Sequence, residues 1–429
     1  MKKYKIIIFS VLLGVFLLWP ASNNNWGGDN WTDMLGADAK GYYAYLPAVF
    51  IYHDLNFGHF DSIEKEKYYN ADIYYDYRFR FEGKVVNKYF VGTSILQLPF
   101  FLVAHSIALS NSEWDADGFS KPYLISVNVA SIFYIAFGIY LLLLVLVPLY
   151  GNIVLVISAF SVFATNLYFY GVNEPGMSHA YSFFLVCSFI YFLLKFLELK
   201  RFKFLFFAAI VVGLVFLVRP VNGLVVLSVP FILGRKVSLE LLGFLKQPKY
   251  LIILGFTIGL ISSIQFLIYY FQTGSFLVYS YGQEGFNWTN PQILNALFSF
   301  KKGALIYTPI LWLGIPALVS LWKSDGFRFK AYLLFIIPVL YVLYSWWNWW
   351  YGGSFSQRVL IEYYPFLIVL LSMWLKELKL VWVKRMVLAF AILCLTLNQF
   401  QTYQYRHYLI HWEDMNKEKY FEVLFKMPE

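Results

Sequence analysis

Apolar runs long enough to cross a hydrocarbon core, which takes about 20 helical residues, follow one another along most of the 429-residue chain, with short polar turns between them. The pattern predicts an all-α polytopic membrane protein with about eleven transmembrane helices. The spans fall at 1–20, 122–148, 153–171, 179–198, 204–218, 221–234, 250–271, 303–322, 331–347, 359–375 and 381–400. The first of these has the basic start and apolar stretch of a signal peptide, with a cleavage point near Ala21; it is read as an uncleaved span. The spans at 204–218 and 221–234 are short, and Arg-Pro-Val-Asn at 219–222 breaks them apart as a turn near one membrane face.

The stretch 89–110 is also long enough to span, but it contains Gly92, Pro99 and His105. Loop charge decides its placement, because Lys and Arg collect in cytoplasmic loops. With 89–110 lying along the membrane surface, eighteen Lys and Arg residues fall in the short loops on the N-terminal side, and only Arg219, Lys301, Lys302 and Arg358 fall opposite. A spanning 89–110 reverses most of that bias. The expected topology therefore has a cytoplasmic N-terminus, a long outer loop at 21–121 with juxtamembrane helices, the remaining spans over 122–400, and an outer tail at 401–429. The whole of 1–429 reads as one membrane domain without internal repeats.

Composition agrees with this picture: 60% of residues are hydrophobic, 22% aromatic and 14% charged, far from a soluble average. The net charge of +9 is scattered between apolar runs and forms no basic stripe, which argues against nucleic acid as a partner. Cys187 and Cys394 both lie in apolar runs, so neither a disulfide framework nor a cysteine metal site is expected.

With this topology the unusual polar residues gather on the outer face. They lie in GADAKGYYAYLP (Gly36–Pro47), VNKYF (Val86–Phe90), NEPGMSH (Asn173–His179), RPVN, YSYGQEGFNWTNP (Tyr279–Pro291), FKKG and SWWNWWYGGSFSQR (Ser345–Arg358). Such one-sided clustering is what a site at the membrane surface needs. Arg358 runs against the charge bias behind a Gly- and Trp-rich loop, where a guanidinium can fork onto a phosphate; equally, it can pair with Glu362 four residues on. Arg219, Lys301 and Lys302 can contact phosphate or snorkel at helix ends. Asp38, in a loop before a Tyr-rich stretch that includes Tyr42, can act as a general base or cap a helix. Glu174 and His179 can bind a divalent metal, tune a base or cap a helix, and Glu284 lies in another outer loop. His407 and His411 have helical metal spacing but no visible third ligand. The Tyr and Trp clusters fit interfacial belts, and some could stack on sugar rings.

Together these residues resemble the C-type superfamily of membrane glycosyltransferases, particularly bacterial relatives of protein O-mannosyltransferases and of lipid A aminoarabinose transferase. GADAKGYYAYLP is similar to that family's first-loop acidic motif, WWYGGSFSQR to its tryptophan-glycine-arginine pattern before a late span, and NKYF places Lys88 where a basic residue meets the lipid phosphate. The resemblance implies a sugar donor on a polyprenyl phosphate, a lipid, glycan or protein acceptor, Asp38 as general base, and single displacement with inversion at the periplasmic face of a bacterial inner membrane. Two features depart from the family: Asp38 is followed by Ala39, so the usual paired acids are reduced to one, and no large soluble domain follows the last span. Two alternatives remain from other classes: a multi-pass lipid or solute transporter, and a polysaccharide polymerase or ligase using a lipid diphosphate-linked glycan.

Overall fold

The computed structural model describes residues 2–427. It is an all-α polytopic membrane protein: among the described residues eight helices are long and apolar enough to cross a membrane, and three shorter apolar helices accompany them. In chain order the first helices are α1 (Lys2–Asn25), α2 (Asp38–Tyr43), α3 (Tyr45–Phe50), α4 (Gly92–Ser110), α5 (Lys121–Tyr150), α6 (Ile153–Phe163), α7 (Leu167–Val172), α8 (Ser178–Leu199) and α9 (Phe202–Val218). They are followed by α10 (Val229–Leu245), α11 (Pro248–Thr273), α12 (Ile293–Phe298), α13 (Ala304–Tyr307), α14 (Gly314–Ser324), α15 (Gly326–Tyr344), α16 (Tyr364–Glu377), α17 (Val381–Arg406) and α18 (Lys417–Val423). A two-stranded antiparallel hairpin, β1 (Arg78–Phe81) and β2 (Lys84–Asn87), with Arg78 opposite Asn87, stands between α3 and α4.

The long helices pack in an order that side-chain contacts fix. Tyr134 of α5 lies against Tyr181 and Phe184 of α8, and Gly138 lies one turn on against Cys187, so α5 and α8 run parallel. Asn25 at the end of α1 donates to Asn128 Oδ1 of α5, while Gly14 sits near Ala136, so α1 runs antiparallel to them. The short link α6–α7 returns the chain between α5 and α8, which puts the starts of α5 and α8 and the ends of α1 and α9 at one end of the bundle. That end carries the turn at Arg219 and the chain that follows α1.

Several predicted spans differ in form. The stretch 153–171 breaks between α6 and α7, where buried Asn166 accepts from Tyr364 Oη (2.6 Å) and donates to the Phe355 carbonyl (3.1 Å). The stretch 221–234 is not one α-helix: a 3₁₀ segment, Pro220–Ser228, runs into α10, which is broken at Gly234 (φ +73°). Arg328 fills the space a side chain at Gly234 would take and donates to the Phe231 carbonyl. Likewise 303–322 is assembled from α13, a 3₁₀ turn at Pro309–Leu313, and α14. Proline and polar contacts explain these interruptions, since each supplies or removes a backbone partner that an unbroken helix requires.

Helix α4 is itself long and apolar enough to cross a membrane. It packs along the N-terminal half of α5 in the opposite direction: the Leu96 carbonyl accepts from Tyr134 Oη, and His105 meets Tyr123 Oη at 2.5 Å. Gly92 at its start rests directly on the Leu217–Val218 backbone at the end of α9, leaving no room for a Cβ. Within the 21–121 region α4 thus runs beside α5, while the stretch just before it is tied to α9 and α11. Gln265 of α11 helps to pin it, accepting from the Val91 amide (2.8 Å).

Candidate functional site

Helix α2 begins at Asp38 because Ala37 takes a positive φ of 45° and turns the chain sharply into it. Its next turn is squeezed: a Cβ on Gly41 would overlap the Tyr89 ring and lie 2.9 Å from the Tyr77 Cβ, so only glycine lets both tyrosines reach the helix backbone. Asn87 completes the grip by donating to the Gly41 carbonyl (2.8 Å). Held this way, the Asp38 carboxylate meets two partners. Tyr89 Oη donates to Oδ1 at 2.6 Å, and Arg358 Nη2 donates to Oδ2 at 2.7 Å. With its one proton on Asp38, the Tyr89 hydroxyl can accept from Tyr75 Oη, 3.0 Å away, and its ring stacks obliquely on Tyr42, whose ring centroid is 4.6 Å away.

Arg358 arrives from the far end of the sequence at the start of a 3₁₀ segment, Arg358–Tyr363. The residues before it are anchored on every side. Asn166 and Tyr170 bond the Phe355 carbonyl and amide, Thr308 bonds Ser356, and Lys302 donates to the Ser354 carbonyl. The Arg358 guanidinium is buried, yet beyond Asp38 its only further protein acceptor among the described residues is the Met177 thioether at 3.5 Å. A thioether is a weak acceptor, so much of the guanidinium's donor capacity is unspent.

The alternative pairing of Arg358 with Glu362 does not form. Glu362, fully buried, instead accepts from His179 Nδ1 (3.0 Å) and Arg219 Nη1 (3.2 Å), with Asn222 at 3.5 Å. The 3₁₀ geometry is the reason. At three residues per turn, positions four apart lie a third of a turn off one face, whereas an α-helix would nearly align them. Arg219, the residue that closes α9, remains 19% exposed and lies over the Tyr351 ring. Lys88, just after β2, pairs with Glu284 (2.6 Å) and sits over Tyr281.

These charges collect at one end of the bundle around Asp38. Burial raises the Asp38 carboxyl, but Arg358, the Tyr89 hydroxyl, Lys88 and Arg219 outweigh it and hold it below its ordinary value. Burial lowers Lys88, yet Glu284 and Tyr75 more than compensate and raise it. Glu174 lies in the same region, its Oε2 buried without a partner, and burial pushes it up to about 7 against the pull of Arg358.

Not every expected site residue faces this region as a phosphate contact would. Lys302 is buried, holds the Ser354 carbonyl and is pulled down by burial to about 7, so it acts as a strut under Arg358. Lys301 lies 3.8 Å over the Trp350 ring. Asp29 and Asp33 are exposed, the latter bonded to Thr32 and Asn70. His407 packs on Tyr403, and His411 Nδ1 accepts from the Glu413 and Asp414 amides, each in its own local turn. No three His, Cys, Asp or Glu side chains converge in a metal-binding group among the described residues. The charged partners nearest Asp38 are cations, a donor set unsuited to a metal.

Sequence reasoning missed Tyr89, Tyr75 and Met177. Their only signal was proximity to motifs already noted, Tyr89 following Lys88 and Met177 lying inside NEPGMSH.

No family model and no curated protein matches the chain. Among solved structures, the oligosaccharyltransferase of Archaeoglobus fulgidus in its apo form is similar at 14% identity and a TM-score of 0.49, over 99% of this chain. The chain spans 60% of that protein's length.

Proposed function

We propose that this chain is an integral-membrane glycosyltransferase that moves a sugar from a polyprenyl-phosphate donor to a lipid, glycan or protein acceptor, with Asp38 as general base. The observation that carries this reading is the contact between Asp38 and Arg358. The two most distinctive polar motifs, 320 positions apart, meet at 2.7 Å, with Lys88 and Arg219 also acting on the same carboxylate. An ionised acid held by Arg358, with Lys88 and Arg219 close enough to act on it, suits a reaction in which a proton leaves an acceptor while an anionic group departs.

In this reading the acceptor hydroxyl or amine attacks the anomeric carbon, Asp38 takes its proton, and the bond from that carbon to the phosphate oxygen breaks. The electron pair leaves on the lipid phosphate, and a single displacement inverts the anomeric centre. Arg358, Lys88 and Arg219 each hold a carboxylate in the resting protein, so the donor phosphate competes for them. Arg358 can do so with its unspent donors, and drawing it toward phosphate relaxes its hold on Asp38 and makes that carboxylate more basic as the donor binds. Glu174, Glu284, Glu362, His179 and Tyr42 support the cations and the carboxylate; Lys301 and Lys302 support the loop that carries Arg358. The site faces the periplasm of a bacterial inner membrane.

The test is transfer by purified protein from defined lipid-linked sugars. Monophosphate donors are expected to work. Use of diphosphate-linked glycans alone would replace this reading with a polymerase or ligase, and transfer from neither class would remove it. With a working donor, Asp38→Asn should lower turnover roughly 100- to 10,000-fold, the usual contribution of a positioned general base, while the protein still folds, with a lower melting temperature from the lost Arg358 pair, and donor affinity does not weaken. Asp29→Asn and Asp33→Asn are matched controls; an equal loss in either strikes Asp38 from the mechanism.

A further inference from the structure

Behind the candidate site, on the opposite side of α2, lies a second buried charge pair. Lys40 and Glu64 are 7% and 2% exposed, and Lys40 Nζ stands 3.7 Å from Glu64 Oε2. The other Glu64 oxygen accepts from Tyr77 Oη at 2.7 Å. Tyr77 is one of the two tyrosines pressed onto Gly41, and its backbone carbonyl accepts from the Lys88 amide at 2.9 Å, next to Tyr89. The two sides of α2 are thus tied through one frame: Asp38 to Tyr89 on one side, Lys40 to Glu64 and Tyr77 on the other.

A cavity of about 30 Å³, lined by Trp31, Thr32, Tyr68 and Phe119 among others, opens beside the pair. It has room for a water or two and is far too small for a sugar ring, so the pair belongs to the scaffold. A buried ion pair is a costly way to gain stability alone, because apolar residues of similar size usually do as well or better. What it supplies is direction. A six-residue helix has a single turn and a half of its own hydrogen bonding, too little to set its rotation about its axis.

We propose that Lys40 and Glu64 are positioning residues for Asp38, fixing the rotation of α2 so that its carboxylate points at Tyr89 and Arg358. This rests on the glycosyltransferase reading for its link to turnover, but the restraint on α2 can be measured without it. Misplacement of a reacting group by about 1 Å costs on the order of 100-fold, so Lys40→Met and Glu64→Gln should lower turnover roughly 10- to 100-fold with the donor KM unchanged. Lys40→Arg, which keeps the charge, should recover most of it.

Should Lys40→Met fold poorly, the double variant Lys40→Met/Glu64→Leu replaces the pair with apolar side chains and should regain the parent's melting temperature but not its turnover. Recovery of both together overturns the proposal and leaves the pair purely structural. Hydrogen–deuterium exchange provides the readout independent of activity. Exchange should quicken in Lys40→Met over Gly36–Phe50 and return to the parent's rate in Lys40→Arg; unchanged exchange overturns the proposal. If the parent transfers sugar from no donor while this exchange pattern appears, the glycosyltransferase reading falls and the restraint on α2 stands.

Discussion

Arg358 is buried, bonded to one carboxylate oxygen and otherwise offered only a thioether. That arrangement sets two expectations. A lysine there can meet Asp38 but cannot fork onto a phosphate, so Arg358→Lys and Arg358→Ala should both weaken donor use, the alanine by about 1.5 to 3 kcal/mol; full activity with lysine excludes the fork. The second concerns pH. Asp38 is held below its ordinary value, so its charge and the stability it contributes are present above the unfolded carboxyl's range and are lost only as pH falls through the lower folded value. Removing Arg358 takes away its main counter-charge, so the acid limb of turnover in Arg358→Lys should stay near the parent's, and in Arg358→Ala it should move to higher pH. A pH–rate series on the three proteins checks this. Asp38 and Arg358 were legible in sequence because an acid in a membrane loop and an arginine against the charge bias are both anomalies. Tyr89 was not, because a tyrosine among 35 carries no anomaly. The contact of buried Lys302 with the Ser354 carbonyl was not legible, because burial under a neighbouring loop leaves no mark on the chain itself.

At the scale of elements, apolar length located the helical regions well and their interruptions poorly. Hydropathy averages over a window, while a break such as the one at Asn166 depends on partners almost 200 residues away, Phe355 and Tyr364, which satisfy the polar groups it exposes. The same limit hid the 3₁₀ geometry at Arg358–Tyr363, and with it the true partner of Glu362. Glycine 41 is where element geometry meets the site. Because Tyr89 and Tyr77 occupy the volume a methyl group would need, Gly41→Ala should destabilise the protein by about 1 to 3 kcal/mol, the usual cost of overpacking. It should also push the Tyr89 hydroxyl off Asp38. Thermal melting beside turnover measures both, and a loss of neither would mean the tyrosines move aside freely.

For the whole molecule, the charge asymmetry of the loops makes the topology testable. Reporters fused after Leu199 and after Ser324 should report cytoplasm, and fusions after Asn290 and at the C-terminus should report the outside. An outside signal at Leu199 would invert the protein and move the Asp38 end to the cytoplasm. The single-domain organisation expected of the chain also has a temporal side. Asp38 is made early, just after α1, whereas Arg358 follows α15, 320 residues later. The acid therefore waits through the insertion of most of the protein before its guanidinium partner exists, and a nascent chain halted anywhere before α16 is incomplete however well its first loop has folded. The order of synthesis thus acts as an interlock: the Asp38–Arg358 contact can close only once most of the chain has been threaded into place.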